Sequence, residues 1–357
     1  MEQDTKIITI NRDEPLEKQL KIAGQLLAEG KLVAFPTETV YGLGANGLSG
    51  EAVTKIFKAK GRPQDNPLIL HIADRDSLAP LVAKVPPVAE PLMDAFWPGP
   101  LTLVFPKSDL IPQEVTAGLD TVAIRMPDHP VALALLKAAA VPVAAPSANL
   151  SGKPSPTEAA HVYNDLQGKV EAIVNGGPTE VGLESTVLDI TGEVPVILRP
   201  GSITLDMLQE VVEKVEIDPN LAIGDGGGAP KAPGMKYTHY APEAQVVLVK
   251  GPEVRQVANK ILALVEQGKR DKLKVAVMIS EEAVDREIDL LTAPDQAFVL
   301  GSRDDMEEVG RQIYRVLREC DQLGIELIVV EAYPPTGVGL AVMNRLDKAA
   351  AFQTVHV

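Results

Sequence analysis

The stretch QVVLVKGPEVRQVANKILALVEQGKRDKLKVAVMI, Gln245–Ile279, contains two short apolar runs with an amphipathic helical pattern between them. This arrangement is typical of a strand–helix–strand unit. The alternation continues with apolar runs at Ala297–Ser302 and Leu327–Ala332 and with helical patterns over Met306–Leu323 and Leu340–Ala351. Regular alternation of this kind predicts a small doubly wound domain with a parallel sheet.

The segment before this domain has a different composition. GDGGGAPKAPGMKYTHYAPE, Gly224–Glu243, is crowded with glycine, proline and polar residues and has no periodic apolar pattern. It predicts a linker over residues 218–243, which leaves one domain at 1–217 and a second at 244–357. Two tyrosines, a histidine and a lysine within GMKYTHYAP indicate a segment that docks on another surface; packing between the two domains is the alternative.

The residues before the linker predict a second kind of α/β domain. Helical spacing over Glu14–Glu29 precedes the strand pattern KLVAFP at Lys31–Pro36. Short apolar runs follow at Leu68–Ile72, Leu101–Phe105, Val122–Met126, Val141–Ala145, Ala172–Val174, Thr186–Ile190 and Val196–Leu198, and helical patterns at Glu51–Lys60, Val131–Ala140, Glu158–Leu166 and Leu205–Val215. Two of the gaps between strands look like loop or hairpin connections, so we expect a mixed sheet.

Composition excludes several classes of protein. A chain of 357 residues with 45% hydrophobic and 23% charged residues is long enough for two globular domains. No run reaches the eighteen or so apolar residues of a membrane helix and no signal segment is evident, so we expect a cytoplasmic protein. Cys320 is the only cysteine, which excludes an intrachain disulfide. The net charge of −15 argues against general nucleic-acid binding, although a local basic face remains an alternative.

A literal GxGxxG pattern occurs at Gly42, Gly44 and Gly47. In dinucleotide-binding proteins these glycines turn directly from a strand into a helix. Here TETVY separates the strand from the glycines, and the helix begins later, so we predict that the pattern is not a cofactor site.

Two loops carry residue types suited to a phosphorylated ligand. KAKGRPQDNPLILH, Lys58–His71, offers a lysine and an arginine around a glycine, which suits a polyphosphate; complementing a helix dipole is the alternative. PSANLSGKPSPT, Pro146–Thr157, places hydroxyl and amide side chains after an apolar strand, where α/β proteins often bind ligands; helix capping is the alternative.

Two arginines lie on apolar strands, Arg125 in AIRMP and Arg199 in ILRPG. A buried guanidinium requires a partner, either an internal carboxylate such as Glu184 or a substrate carboxylate or phosphate. His71 ends an apolar strand and is more typical of a hydrogen-bonded core residue. No catalytic triad or metal-ligand spacing is evident.

Taken together, seven blocks resemble the threonylcarbamoyl-AMP synthase family in its long form, in which a YrdC-like domain precedes a Rossmann-like domain. They are FPTETVYGLG (Phe35–Gly44), KGRPQDNPL (Lys60–Leu68), PSANLSGKPSPT, ESTVLDI (Glu184–Ile190), ILRPG (Ile197–Gly201), PGMKYTHYAP (Pro233–Pro242) and GVGLAVMNRLDKAA (Gly337–Ala350). The blocks keep the family's order and span nearly the whole chain.

This resemblance implies an enzyme that makes threonylcarbamoyl-AMP from L-threonine, bicarbonate and magnesium-bound ATP, for tRNA modification next to the anticodon. It also implies the site residues. Those expected at ATP are Lys60 and Arg62, which would also be catalytic, with Asn66, Thr121, Ser147, Asn149, Ser155, Arg199 and Tyr240; those expected at L-threonine are Thr37 or Thr39, His71, Arg125, Ala145 and Ser185. Arg125 would clamp the amino acid carboxylate.

The resemblance further implies a linker that covers the site, and tRNA or double-stranded RNA and a downstream threonylcarbamoyl transferase as partners. Three other functions stay open from the residues: an RNA-binding module without catalysis, a nicotinamide-dependent enzyme, and a carbamoyltransferase similar to hydrogenase-maturation proteins that contain a YrdC-like domain.

Overall fold

A computed structural model describes residues 4–11, 13–222 and 240–357. The chain forms two compact units, Met1–Ser151 with Ser155–Tyr237, and Gly152–Pro154 with Thr238–Val357. The domain limits 1–217 and 244–357 stay a prediction. Most of the predicted linker, 223–239, lies outside the described residues.

The first unit is built on one mixed sheet. Its strands in the described residues are β1 (Lys6–Thr9), β2 (Val33–Phe35), β3 (Gly42–Asn46), β4 (Ile69–His71), β5 (Leu101–Pro106), β6 (Thr121–Arg125), β7 (Val143–Ala144), β8 (Ala172–Asn175), β9 (Thr186–Asp189), β10 (Val196–Arg199) and β11 (Glu216–Ile217). Their order is β1-β8-β2-β3-β7-β4-β6-β5-β9-β10-β11. The predicted loop connections join antiparallel pairs, β5 with β6 and β9 with β10, which confirms the mixed sheet.

Helices cover both faces of this sheet. They are α1 (Leu16–Ala28), α2 (Gly50–Lys60), α3 (Ala89–Phe96), α4 (Gln113–Thr116), α5 (Pro130–Ala139), α6 (Ala159–Leu166) and α7 (Leu205–Val211). Alternate residues of β2 enter different cores: Val33 and Phe35 pack with α1 and α5, whereas Ala34 faces the core that contains α2. This period of two is expected for a strand that is buried on both faces.

The second unit is a five-stranded parallel sheet with order β14-β13-β15-β12-β16. Its elements are β12 (Gln245–Lys250), α8 (Val254–Arg270), β13 (Val275–Ile279), α9 (Glu281–Arg286), β14 (Gln296–Val299), α10 (Met306–Gln322), β15 (Leu327–Glu331), α11 (Gly339–Ala349) and β16 (Thr354–His356). The predicted doubly wound parallel domain is confirmed.

The structure also explains the glycine pattern at Gly42, Gly44 and Gly47. Gly42 and Gly44 lie inside β3, which pairs with β2 in antiparallel register, and therefore do not form a strand-to-helix turn. An added Cβ on Gly44 would lie 2.9 Å from a Val143 methyl carbon, so close packing between strands explains that glycine. The prediction that this pattern is not a dinucleotide site agrees with the geometry.

Candidate active site

A buried loop connects β2 to β3 and carries the first set of candidate residues. All six residues of this loop, 36–41, are buried. Connecting loops normally lie on the surface, because buried backbone polar groups need partners. Here Val181 and Gly182 donate backbone N–H bonds to the carbonyls of Glu38 and Thr39. Hydrogen bonds from the loop between β8 and β9 thus help to hold the segment with Thr37, Glu38 and Thr39 inside the protein.

Neighbouring parallel strands bring Arg125 and His71 together. β4 and β6 pair so that His71 lies beside Arg125 at the carboxyl ends of both strands. Both side chains are buried, with 4% and 3% of the residue exposed. The carboxyl ends of parallel strands are a common place for ligands in α/β proteins.

Arg125 contacts three groups around its guanidinium. Its Nε donates to the Gly99 carbonyl at 3.2 Å, its Nη1 donates to Thr39 Oγ1 at 2.9 Å, and its Nη2 lies 2.6 Å from Glu38 Oε2. Arg125 Nη2 and the Glu38 carboxylate form a close ion pair. Neither Nη2 nor the two carboxylate oxygens make a hydrogen bond of good geometry to any of the described residues. Arg125 is therefore held in place while some of its N–H groups make no hydrogen bond to any of the described residues.

The two threonines form a directed chain of hydroxyls. Thr37 donates to the Val40 carbonyl at 2.6 Å, and its oxygen lies 2.9 Å from Thr39 Oγ1. Since the Thr37 proton is already used, Thr39 donates to Thr37 and accepts from Arg125. Thr39 can therefore offer a ligand an acceptor but no proton.

His71 is neutral in this setting. Burial lowers the pKa of His71 to about 3, and the positive charge of Arg125 acts in the same direction. Its Nδ1 has no hydrogen-bond partner among the described residues, and its ring meets Phe35 edge to face at 6.3 Å. A ring nitrogen of His71, next to Arg125, thus makes no hydrogen bond within the described part of the chain.

Lys60 anchors the loop that contains Ser147 and Asn149. Its ammonium donates to the backbone carbonyls of both residues, at 2.5 and 2.6 Å. Ser147 Oγ donates to Asn149 Oδ1 at 2.6 Å. Lys60 is the last residue of α2, and Gly61 ends that helix in the left-handed conformation with φ of 62°. The helix end and the serine-containing loop are therefore one assembly.

Arg62 and Asn66 follow in the adjacent loop. Arg62 Nη2 donates to the carbonyls of Asn66 and Pro67 at 3.2 and 3.3 Å. The Asn66 side chain is 1% exposed, yet neither its Nδ2 nor its Oδ1 has a hydrogen-bond partner in the described part of the chain. A buried amide with no partner costs free energy unless a ligand or water completes it.

A third group lies around β9. Arg199 donates from Nε to the Ser185 carbonyl at 3.0 Å and from Nη2 to Ser185 Oγ at 3.1 Å. Ser185 Oγ also lies 2.7 Å from the buried hydroxyl of Thr102. Ser155 donates to Glu184 at 2.5 Å, so the neighbouring Glu184 holds a further candidate residue.

The remaining candidates are more dispersed. Ala145 follows β7, and its N–H donates to the Ile69 carbonyl of the neighbouring strand. Thr121 starts β6, whereas Arg125 ends it, so the two are roughly 13 Å apart along the strand. Tyr240 belongs to the second unit, where its ring lies 5.2 Å from the Tyr314 ring and 5.8 Å from the Arg345 guanidinium carbon.

Comparison with known proteins gives a consistent result over both units. Residues 25–201 match the Sua5, YciO and YrdC family described as "Telomere recombination", and residues 203–351 match "Threonylcarbamoyl-AMP synthase, C-terminal domain". Threonylcarbamoyl-AMP synthase of Pyrococcus abyssi is 49% identical over 98% of this chain and 99% of its own length. The Bacillus subtilis protein of the same name is 48% identical over 95% of both chains.

The chain belongs to the threonylcarbamoyl-AMP synthase family.

The fold of this synthase family is also shared in three dimensions. The crystal structure of P. abyssi Sua5 complexed with L-threonine has a TM-score of 0.92, with 48% identity over 99% of this chain and all of that one. The predicted family and the predicted two-domain fold are therefore confirmed. The roles predicted for individual site residues stay predictions.

The sequence did not single out Glu38, which lies beside Arg125, and it indicated Glu184 only as an internal partner for an arginine. Both are 94–96% buried. An acidic residue inside a motif that connects two apolar strands was the available signal for Glu38. Because strand β3 was not predicted, residues 36–41 resembled an ordinary surface loop, and the burial of Glu38 was not predicted.

Proposed function

We propose that this protein joins L-threonine, bicarbonate and ATP to form L-threonylcarbamoyl-AMP, with release of pyrophosphate and water. The observation that carries the proposal is the buried Arg125, which is held by Thr39, Glu38 and Gly99 and still has donors for an incoming carboxylate. Membership of the synthase family and the L-threonine complex of the P. abyssi protein support the same reaction.

The amino acid would bind at the carboxyl ends of β4 and β6. Arg125 has five N–H groups, of which two make hydrogen bonds; the other three include both N–H groups of Nη2, so donors are left for a carboxylate beside Glu38. A guanidinium binds a carboxylate in a bidentate manner and thereby fixes its orientation. Thr37 or Thr39, neutral His71, the strand end at Ala145 and Ser185 would complete this half of the site.

ATP would bind against the assembly of Lys60, Arg62, Ser147 and Asn149, with Asn66, Ser155 and Arg199 around it. Lys60 and Arg62 supply positive charge, and the unpartnered amide of Asn66 supplies both a donor and an acceptor. Magnesium would arrive on the ATP phosphates, since Mg²⁺ is usually bound by substrate phosphates with few protein ligands. Thr121 is a further candidate at the nucleotide.

The chemistry requires placement and charge neutralisation more than a covalent nucleophile. The deprotonated amine of threonine takes up bicarbonate with loss of water and becomes an N-carboxylate. One oxygen of that carboxylate attacks the α-phosphorus of ATP, and the bond to pyrophosphate breaks. Clustered cations stabilise the charge that develops on the phosphates, and bound reactants avoid the entropic cost of meeting in solution.

The product would supply a transferase that modifies tRNA next to the anticodon. The net charge of −15 argues against general nucleic-acid binding, so contact with tRNA or double-stranded RNA would use a local basic face. We place the reaction in the cytoplasm. None of the helices within the described ranges has the length and apolar character needed to cross a membrane.

The direct test measures pyrophosphate release and product mass with ATP, magnesium and bicarbonate. L-Threonine, L-serine and no amino acid are compared for the wild type and for Lys60→Ala. The proposal expects threonine-dependent pyrophosphate with the mass of threonylcarbamoyl-AMP, and loss of both in the variant. RNA binding by a folded protein that makes no adenylate would favour the binding-module alternative instead.

A further inference from the structure

The carboxylate of Glu38 is buried beside Arg125 and lacks an aligned hydrogen-bond partner. Glu38 is 4% exposed, its Oε2 lies 2.6 Å from Arg125 Nη2, and neither oxygen has a hydrogen-bond partner among the described residues. Arg125 is the one cation in ion-pair contact with Glu38 in the described part of the chain. A buried carboxylate ordinarily accepts several hydrogen bonds, so this one has unused capacity.

The neighbouring groups do not fill that capacity. The Thr39 hydroxyl proton is used on Thr37, and the Thr39 backbone N–H contacts Thr37 Oγ1. His129 is close enough for the charge of Glu38 to act on its pKa, which burial lowers, but its ring makes no hydrogen bond to Glu38: His129 Nδ1 and both Glu38 oxygens have no hydrogen-bond partner among the described residues. The missing donor must therefore come from a ligand or from water.

We propose that Glu38 binds the ammonium group of the amino acid substrate, while Arg125 binds its carboxylate. This inference rests on the proposed function and adds a substrate-binding residue to it. An α-amino acid carries its two charges on atoms attached to one carbon, so its receptor needs opposite charges side by side. The Glu38–Arg125 pair has this arrangement, and it stays electrically neutral both with and without the zwitterion. In the free protein each member serves as the other's counter-ion, which avoids an uncompensated buried charge.

A ligand that lacks the ammonium separates this role from a purely structural one. (R)-3-Hydroxybutanoate keeps the carboxylate, the hydroxyl and the methyl of L-threonine but has hydrogen in place of the ammonium. Binding of both ligands is measured by calorimetry without ATP, for the wild type and for Glu38→Gln. The wild type is expected to bind threonine on the order of 100-fold more tightly, because the analogue leaves a buried charge unpaired.

In Glu38→Gln this preference is expected to fall to within roughly threefold, with most of the loss in threonine binding. Equal weakening of both ligands would overturn the proposal and leave Glu38 as a residue that positions Arg125. An unchanged preference for threonine would overturn it as well. A wild-type protein that does not bind threonine would instead refute the proposed function itself.

Glu38→Asp provides a second variant in case the glutamine leaves Arg125 too poorly compensated to fold. Aspartate keeps the negative charge, but its side chain is shorter than that of glutamate by one methylene group. The proposal expects a preference for threonine between those of the wild type and Glu38→Gln, with ATP binding unchanged. A preference equal to that of the wild type, together with weaker binding of both ligands, would contradict direct contact with the ammonium.

Discussion

Among single residues, Arg125 is the one proposed to bind the substrate carboxylate through two N–H donors. Lysine at this position keeps the charge but loses the planar fork, so Arg125→Lys cannot reproduce the contacts with Gly99, Thr39 and a substrate carboxylate together. We expect the KM for L-threonine to rise on the order of 30-fold or more, with little change in the KM for ATP. Steady-state kinetics with each substrate varied in turn measure this, and an equal rise in both constants would contradict the assignment.

His71 makes a prediction about pH and stability. Burial, with help from Arg125, lowers the pKa of His71 to about 3, against an ordinary value of 6.5. Below pH 6.5 the unfolded chain binds a proton at His71, whereas the folded protein binds it only near pH 3. The free energy of unfolding therefore decreases as the pH falls through this range. The loss attributable to His71 is about 1.4 kcal/mol per pH unit.

Urea unfolding at pH 7 and pH 5 of the wild type and His71→Gln measures that loss. The wild type should lose about 2 kcal/mol more than the variant between these pH values. An identical loss in both proteins would show that His71 titrates normally in the folded state.

The residue scale also shows where prediction from sequence succeeded and where it stopped. Arg125 stood out because a guanidinium on an apolar strand demands a partner. Glu38 did not stand out, since its burial depends on β3 and on backbone bonds from Val181 and Gly182, which are distant in sequence. Local patterns report burial for regular strands and helices but not for a loop that the tertiary fold encloses.

At the scale of elements, the crossing of α1 and α5 is unusually close. A Cβ added at Gly24 of α1 would lie 2.6 Å from the carbonyl carbon of Ala138 in α5, a separation that real structures essentially never show. In an exposed helix, replacing glycine by alanine stabilises by about 1 kcal/mol. We expect the opposite sign here, a destabilisation of about 1–3 kcal/mol, because the helices must separate.

Thermal or urea unfolding of Gly24→Ala tests this prediction, with Lys21→Ala on the exposed face of the same helix as the control. The control should stay within about 0.5 kcal/mol of the wild type. Stabilisation by Gly24→Ala would mean that the two helices do not approach as closely as described.

Element prediction was most successful where periodicity was strong. In the second unit, predicted and observed strands and helices agree closely, for example Met306–Leu323 against Met306–Gln322. β1, β3, β11 and β16 were not predicted. Lys6–Thr9, Glu216–Ile217 and Thr354–His356 are short edge strands, and Gly42–Asn46 is rich in glycine, which disfavours strands. These strands are stabilised by pairing with β8, β2, β10 and β12, which the local sequence does not show.

In the whole molecule, the two units contain different kinds of sheet. The first unit has a mixed sheet that carries most of the candidate site residues, and the second has a parallel sheet with regular crossovers. Both match the same synthase family, and relatives from Pyrococcus abyssi and Bacillus subtilis span both. The sequence blocks predicted this organisation, because they keep the family's order and span nearly the whole chain. Contacts between side chains from distant blocks, such as Ser155 with Glu184, required the structure.

In threonylcarbamoyl-AMP a carbamoyl group joins threonine to AMP, and its carbon comes from bicarbonate, so isotope labelling of the bicarbonate reveals that group. Purified protein is incubated with ATP, magnesium and L-threonine in ¹²C- or ¹³C-bicarbonate, and the adenylate is measured by mass spectrometry. We expect threonylcarbamoyl-AMP whose mass increases by about 1 Da with the ¹³C label. Formation of threonyl-AMP, whose mass does not respond to the label, would contradict it.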